Sequence, residues 1–298
     1  MAIDLKGILL PTTTPFDEDG KITADAISSN IKKWSARGVI GFVVLGSTGE
    51  RLHLDEREYL EVIEISRKAT PSNSAFIVGA GQQSTIGTIK EIKNAKNAGA
   101  DAVLVITPFF YRTAITQETL ISFYTAVADE SPIPVLLYSM PPLTGIKIEP
   151  ETIAHLSEHA NIIGVKDSSN DVAAFRKTVN LCPKDFSVMT GNGTVLLDAL
   201  RAGATGGILA VGCVVPEVCV EIYEAFKDNN EGHAASLQSK LTPLAAAVTT
   251  RFGIGGLKAA LDLAGFRGGS VRAPLRAPDD TAQTEIAELL QTVRAPNP

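Results

Sequence analysis

The chain has 298 residues, 45% hydrophobic and 20% charged, and its 27 Lys and Arg against 33 Asp and Glu leave a net charge of −6. Ordinary globular composition excludes the disordered and fibrous classes, and the length suits either one large α/β barrel or two smaller domains. The negative balance leaves no basic field to hold nucleic acid or an anionic membrane, and the longest apolar stretch, Gly206 to Val215, falls well short of the roughly 20 residues that span a bilayer. The segment MAIDLKG mixes charged and apolar residues, which predicts no secretory leader. Cys182, Cys213 and Cys219 form no CxxC pair and are odd in number, so they read as reduced core thiols of a cytoplasmic protein.

In chain order, short apolar runs rich in β-branched residues recur at Gly7–Leu10, Gly41–Leu45, Phe76–Gly79, Ala102–Ile106, Val135–Tyr138, Ile162–Lys166, Phe186–Met189 and Gly207–Val211, with helical segments between them. Strands become continuously apolar when both faces are covered, so this alternation predicts parallel strands and, from their number, a closed (β/α)8 TIM barrel. Gly38, Gly99 and Gly203 each stand between a helix end and a strand, where a left-handed residue satisfies the last carbonyls; they mark the bottom face. Beyond about residue 216 the pattern becomes helical alone, with segments at Val218–Phe226, Gly232–Val248, Gly255–Leu263 and Asp280–Val293. Pro243 is expected to kink or restart the second of these. The organisation read from this is a barrel over residues 1–216 and a helical extension over 217–298 packed on it.

The opposite ends of the strands carry the unusual residues, and in such a barrel that face holds the active site. Lys166 ends the sixth run. Held in an apolar pocket, its neutral amine can attack a carbonyl to form a Schiff base; the alternative is a solvated strand-end lysine. Tyr138 closes the fifth run before Pro141-Pro142, placed either for proton transfer or as a core aromatic with a satisfied hydroxyl. Gly46-Ser47-Thr48-Gly49-Glu50 sets amides and hydroxyls after the second strand, a pattern that binds a small carboxylate and is also found in plain turns. Gly191-Asn192-Gly193 and Gly206-Gly207, at the ends of the seventh and eighth strands, fit either a barrel phosphate site or, in the favoured reading, tight turns giving a smaller ligand access to backbone. His155 and His159 share a helical spacing that can bind metal, but their charged neighbours favour a solvated face. His53 and His233 have no evident partner.

Together these residues resemble the Schiff-base, pyruvate-dependent lyases that include dihydrodipicolinate synthase, N-acetylneuraminate lyase, 2-keto-3-deoxy sugar-acid aldolases and 4-hydroxy-2-oxoglutarate aldolase. The similarity spans almost the whole chain and rests on Pro15-Phe16, Gly46 to Glu50, Thr107-Pro108-Phe109-Phe110, Tyr138-Ser139-Met140-Pro141 and Gly164-Val165-Lys166-Asp167-Ser168. Ser131 to Val135, Ala247 to Ile254 and Arg272 to Leu275 are most similar to 4-hydroxy-2-oxoglutarate aldolase. The resemblance implies that Lys166 forms the Schiff base with a 2-oxo acid and that Ser47 and Thr48 hold its carboxylate. It implies that Tyr138, with Thr48, moves protons, that Ile208 lines the pyruvate pocket, and that Gly191 and Ser168 meet the substrate. The imine is the electron sink, so no metal or other cofactor is expected. The partner implied is a small 2-oxo acid, and the assembly a homotetramer.

Departures narrow the reading. Where dihydrodipicolinate synthases place an arginine for the carboxylate of aspartate semialdehyde, this chain has Leu143. Where neuraminate lyases place acidic residues, it has Asn192 and Gly193. The relay tyrosine lent by a neighbouring subunit aligns with Phe110, leaving either a shifted Tyr111 or Thr48 and Tyr138 working with water. Arg112 is a candidate for a distal carboxylate or a solvent-facing arginine. The expected reaction is reversible cleavage of a 4-hydroxy-2-oxo acid, a 2-keto-3-deoxy sugar acid or 4-hydroxy-2-oxoglutarate, to pyruvate and an aldehyde. The alternatives are dihydrodipicolinate synthase and a non-catalytic protein that binds a 2-oxo acid.

Overall fold

In the computed structural model, which describes residues 3–295, eight parallel strands follow one another round a closed barrel. Met1 and Ala2, at the head of the segment read as carrying no leader, and residues 296–298, at the end of the expected extension, lie outside the described residues. The strands are β1 (Gly7–Pro11), β2 (Gly41–Val44), β3 (Ala75–Ala80), β4 (Ala102–Ile106), β5 (Val135–Ser139), β6 (Ile162–Asp167), β7 (Ser187–Thr190) and β8 (Gly206–Ile208). Pairing of β1 with β8 closes the ring. Helices α1 (Ala24–Ser35), α2 (Glu56–Ala69), α3 (Thr85–Asn97) and α4 (Gln117–Glu130) lie on its outside. They are followed by α5 (Pro141–Thr144), α6 (Pro150–Leu156), α7 (Val172–Leu181), α8 (Leu196–Arg201) and α9 (Pro216–Lys227), the last lying against β1 and α8. Then come α10 (Glu231–Ala246), α11 (Gly253–Leu263) and α12 (Asp280–Arg294). The expected (β/α)8 barrel with C-terminal helices is the fold observed. Gly38, Gly99 and Gly203 all have positive φ, at 77°, 106° and 102°, as their place after a helix requires.

Strand side chains alternate between two cores. Leu9, Val43, Ile77, Leu104, Leu136, Met189 and Ile208 fill the barrel interior, whereas Ile8, Phe42, Val44, Phe76, Val78, Val103, Val105 and Leu137 pack under the helices. β6 changes phase. Ile162 and Val165 both face the helices although they are three positions apart, because the register against β5 slips there: Val135 pairs with Ile162, and the next residue, Leu136, pairs with Gly164. The extra residue, Ile163, is a β-bulge that turns Gly164 and Lys166 inward.

Most predicted boundaries shift by a residue or so, and three of the differences have a clear local cause. The second run stops at Val44, because Leu45 takes a left-handed φ of 59°. The eighth strand is shorter than the apolar run. After Leu209 donates to the Leu9 carbonyl, the Gly212 amide bonds back to Leu209, and Ala210–Cys213 coil into a 3-10 turn. Pro243 does not restart a helix: α10 continues through it to Ala246, held between α9 and α12, and only then loosens into the π-helical turn Ala247–Arg251. His155 and His159 share no helix face, since α6 ends at Leu156; His159 pairs with Asp129 at 3.1 Å. Cys213 and Cys219 are buried free thiols and Cys182 is half-buried. Among the described residues no helix is long and apolar enough to cross a membrane, and no group of three or more His, Cys, Asp or Glu is placed to hold a metal ion.

Candidate active site

The carboxyl ends of β2, β5, β6 and β7 bring one polar cluster together. Tyr138 and Lys166 are register partners on β5 and β6, both inward-facing, and Lys166 Nζ lies 4.4 Å from the centroid of the Tyr138 ring. Both are almost wholly buried. The Tyr138 hydroxyl is 3.4 Å from Ser47 Oγ. Burial pushes the phenol's pKa up, but the Lys166 charge and hydrogen bonds involving Ser47, Ser168 and Lys166 outweigh it and hold the phenol below its usual value. Gly191, just past β7, gives this cluster room: a Cβ there would fall 2.0 Å from Ser168 Oγ and 2.7 Å from Lys166 Cε, so any other residue would displace those two side chains.

A cavity of about 340 Å³ opens beside the cluster. Ser47 and Tyr138 line it; Lys166, Thr48, Ser168, Gly191 and Ile208 do not, and Lys166 meets it only by way of the Tyr138 ring. Thr48 is buried in the same loop, with Ser47 rather than Thr48 reaching the tyrosine, and Ile208 belongs to the interior layer that also contains Tyr138. Phe110 and Tyr111 are both exposed, edge to face with ring centroids 5.1 Å apart. Arg112 is exposed too; a Cβ on Gly145 would fall 2.7 Å from its Nη1, which places it over α5 and outside the cavity wall.

The supports of the Gly46–Glu50 loop were not legible in the sequence. Glu50 has a left-handed backbone, with φ 52° and ψ 34°. Its fully buried carboxylate lies 2.5 Å from Lys258 Nζ, which also donates to the carbonyls of Thr14 (2.7 Å) and Ser270 (2.6 Å). Two further groups reach Glu50 Oε2: the Arg272 amide at 3.0 Å and His53 Nδ1 at 3.2 Å, so His53 has a partner after all, as His233 has in Glu221. Arg272 ties the Gly20 and His53 carbonyls to Glu58 on α2. Except for His53 with Glu50, three positions apart, each contact joins segments remote in sequence, and no local spacing announces them.

The hydrogen bonds from Arg272 lower the Glu58 pKa from 4.5 to about 2, against the opposing effect of burial. A depressed carboxylate contributes stability that is complete above its unfolded pKa and lost as pH falls toward the folded one. The pair should therefore contribute on the order of 2 kcal/mol that disappears between about pH 4.5 and pH 2. Denaturant unfolding followed over that range should decline less steeply in Glu58→Gln than in the parent; parallel curves would show the pair to be inert.

The closed barrel and the lysine–tyrosine cluster at its carboxyl face define the class, an α/β barrel of the pyruvate-dependent, class I aldolase kind. The chain belongs to the dihydrodipicolinate synthetase family, whose model matches residues 4–293. That family acts through a lysine Schiff base without a metal ion, on small 2-oxo acids. Similar curated proteins are the 4-hydroxy-tetrahydrodipicolinate synthases of Syntrophus aciditrophicus (strain SB), 34% identical over 96% of this chain and 97% of that one, and of Methanothrix thermoacetophila, 32% identical over 96% of each. Among solved structures, dihydrodipicolinate synthase of Bacillus anthracis superposes with a TM-score of 0.94 at 27% identity, covering 99% of this chain and all of that one. YagE of E. coli K12, described as a member of the dihydrodipicolinic acid synthase family in complex with pyruvate, has a TM-score of 0.91 at 28% identity, with 97% and 99% covered.

Proposed function

We propose that the chain joins pyruvate to an aldehyde, and reversibly cleaves the resulting 4-hydroxy-2-oxo acid, through a Schiff base on Lys166. The observation that carries this is the buried Lys166 amine stacked on the Tyr138 ring at the carboxyl face of the barrel. In cleavage, Lys166 Nζ attacks the keto carbon and water leaves, giving a protonated imine. Tyr138 removes the proton of the hydroxyl on carbon 4, the bond between carbons 3 and 4 breaks, and its electrons enter the imine to leave an enamine. Protonation of carbon 3 and hydrolysis release pyruvate and restore the amine. Ser47 and Thr48 bind the carboxylate, Gly191 and Ser168 flank the reacting lysine, and Ile208 forms the floor. Free thiols suit the cytoplasm, and a tetramer is carried over with the family reading.

The aldehyde divides two versions. The names of the curated relatives favour 4-hydroxy-tetrahydrodipicolinate synthase, with aspartate semialdehyde as acceptor. The cavity favours a general 4-hydroxy-2-oxo acid aldolase. Its wall holds Leu143, and its one arginine, Arg51, is already paired with Glu91, so nothing there is free to meet a second carboxylate. Incubation with pyruvate followed by borohydride tests the shared chemistry. Peptide mapping should find a reduced pyruvate adduct on Lys166; folded protein with no adduct refutes the reading.

A further inference from the structure

Beyond Tyr138 and Ser47, the cavity wall is built from Leu52, Ile106, Phe109, Leu143, Ile254 and Leu275. Three ionisable groups touch it, and each is already matched by a protein partner. Glu50 is neutralised by Lys258, His53 bonds to Glu50, and the Arg51 guanidinium is held by Glu91 at 2.5 Å and by the Gly81 carbonyl at 2.9 Å. The Thr144 hydroxyl donates within its own turn, to the Met140 and Ile146 carbonyls. A polyol tail brought here would lose its water without finding replacement hydrogen bonds, and a carboxylate would find no free charge; either loss is costly. An alkyl or aryl group loses nothing polar and is favoured by the area it buries.

We infer that the aldehyde partner is apolar, an alkyl or aryl aldehyde, so that the 4-hydroxy-2-oxo acid made or cleaved carries a hydrocarbon group on carbon 4. This rests on the pyruvate-dependent reading above. In the synthetic direction the Lys166 enamine attacks the aldehyde carbon and a bond forms between carbons 3 and 4. The aldehyde oxygen takes a proton from Tyr138, and water hydrolyses the imine to release product and amine, so no oxidant or reductant enters. Arg112 is the competing feature: exposed over Gly145, it suits an aldehyde ending in a carboxylate at the rim.

The test is initial rates with pyruvate and a panel of propanal, butanal, benzaldehyde, glyceraldehyde, glyoxylate and aspartate semialdehyde, with pyruvate–borohydride adduct formation measured on the same preparation. Butanal or benzaldehyde should exceed each polar aldehyde at least tenfold in kcat/KM, and lengthening propanal to butanal should raise it about fourfold. Preference for glyceraldehyde, glyoxylate or aspartate semialdehyde, with the adduct intact, overturns the inference and leaves the aldolase reading standing. Absence of the adduct overturns both. Leu143→Arg should lower kcat/KM for butanal at least tenfold, its unfolding midpoint confirming the fold; an unchanged value removes Leu143, and with it the apolar wall, from the argument.

Discussion

Replacing Lys166 with alanine should abolish the borohydride-trapped pyruvate adduct and lower turnover roughly a thousandfold or more, the scale on which loss of a covalent nucleophile disables an enzyme. No nearby amine can stand in. Lys258 is the other buried lysine in this part of the molecule, and its charge is committed to Glu50 and to two carbonyls. Stability should change far less than activity, because among the described residues no carboxylate pairs with Lys166, whose neighbour is the Tyr138 ring, and its removal leaves no opposite charge stranded. Thermal unfolding beside the turnover assay checks this: a variant that loses both together would assign Lys166 a structural role. Tyr138→Phe gives the contrasting signature. The adduct should still form while turnover falls by about 10²- to 10⁴-fold, as expected when proton transfer is lost and the electrophile kept.

Lys258→Met should be the most destabilising single change in the loop supports. It strands the Glu50 carboxylate in the interior and leaves the Thr14 and Ser270 carbonyls without their donor. Removing one member of a buried pair costs about 3–5 kcal/mol, which for a chain of this size lowers the melting midpoint by on the order of 10 °C. The double variant Glu50→Leu with Lys258→Met should recover much of that loss, because neither charge then remains buried. Calorimetry of the four proteins in the cycle measures the coupling, and additive losses would show that the two groups stand independently. The site should respond as well. Glu50 closes the turn that presents Ser47, so the single variant should raise the KM for pyruvate.

The barrel was legible because its signals are local. Gly38, Gly99 and Gly203 repeat one junction, and runs such as Val103 to Val105 are apolar on both faces only because both faces are covered. Lys166 and Tyr138 were legible for the same reason, as polar residues at the ends of apolar runs. What escaped notice depends on distance or on packing. The Lys258 partner of Glu50 and the Glu58 partner of Arg272 come from remote segments, and no hydropathy pattern shows that α10 passes through Pro243 or that β8 ends three residues short of its apolar run. The apolar cavity is of the same kind, because Leu52, Phe109, Leu143 and Leu275 come from four different segments and converge only in the folded chain.

The bulge at Ile163 has a consequence for how this fold can gain or lose chemistry. Along β6, reactivity depends on whether the count from Ile162 to the lysine is odd or even. In unbroken alternation the four positions from Ile162 to Lys166 would carry the amine outward beneath the helices; the extra residue is what brings it inside, and deleting that residue would restore strict alternation with the amine still inward. Substitutions reduce the activity of such a site by degrees, whereas an unbroken strand of the same amino acids would hide the nucleophile altogether. Whether the amine meets the substrate or the helices is thus set by backbone register and not by side-chain identity.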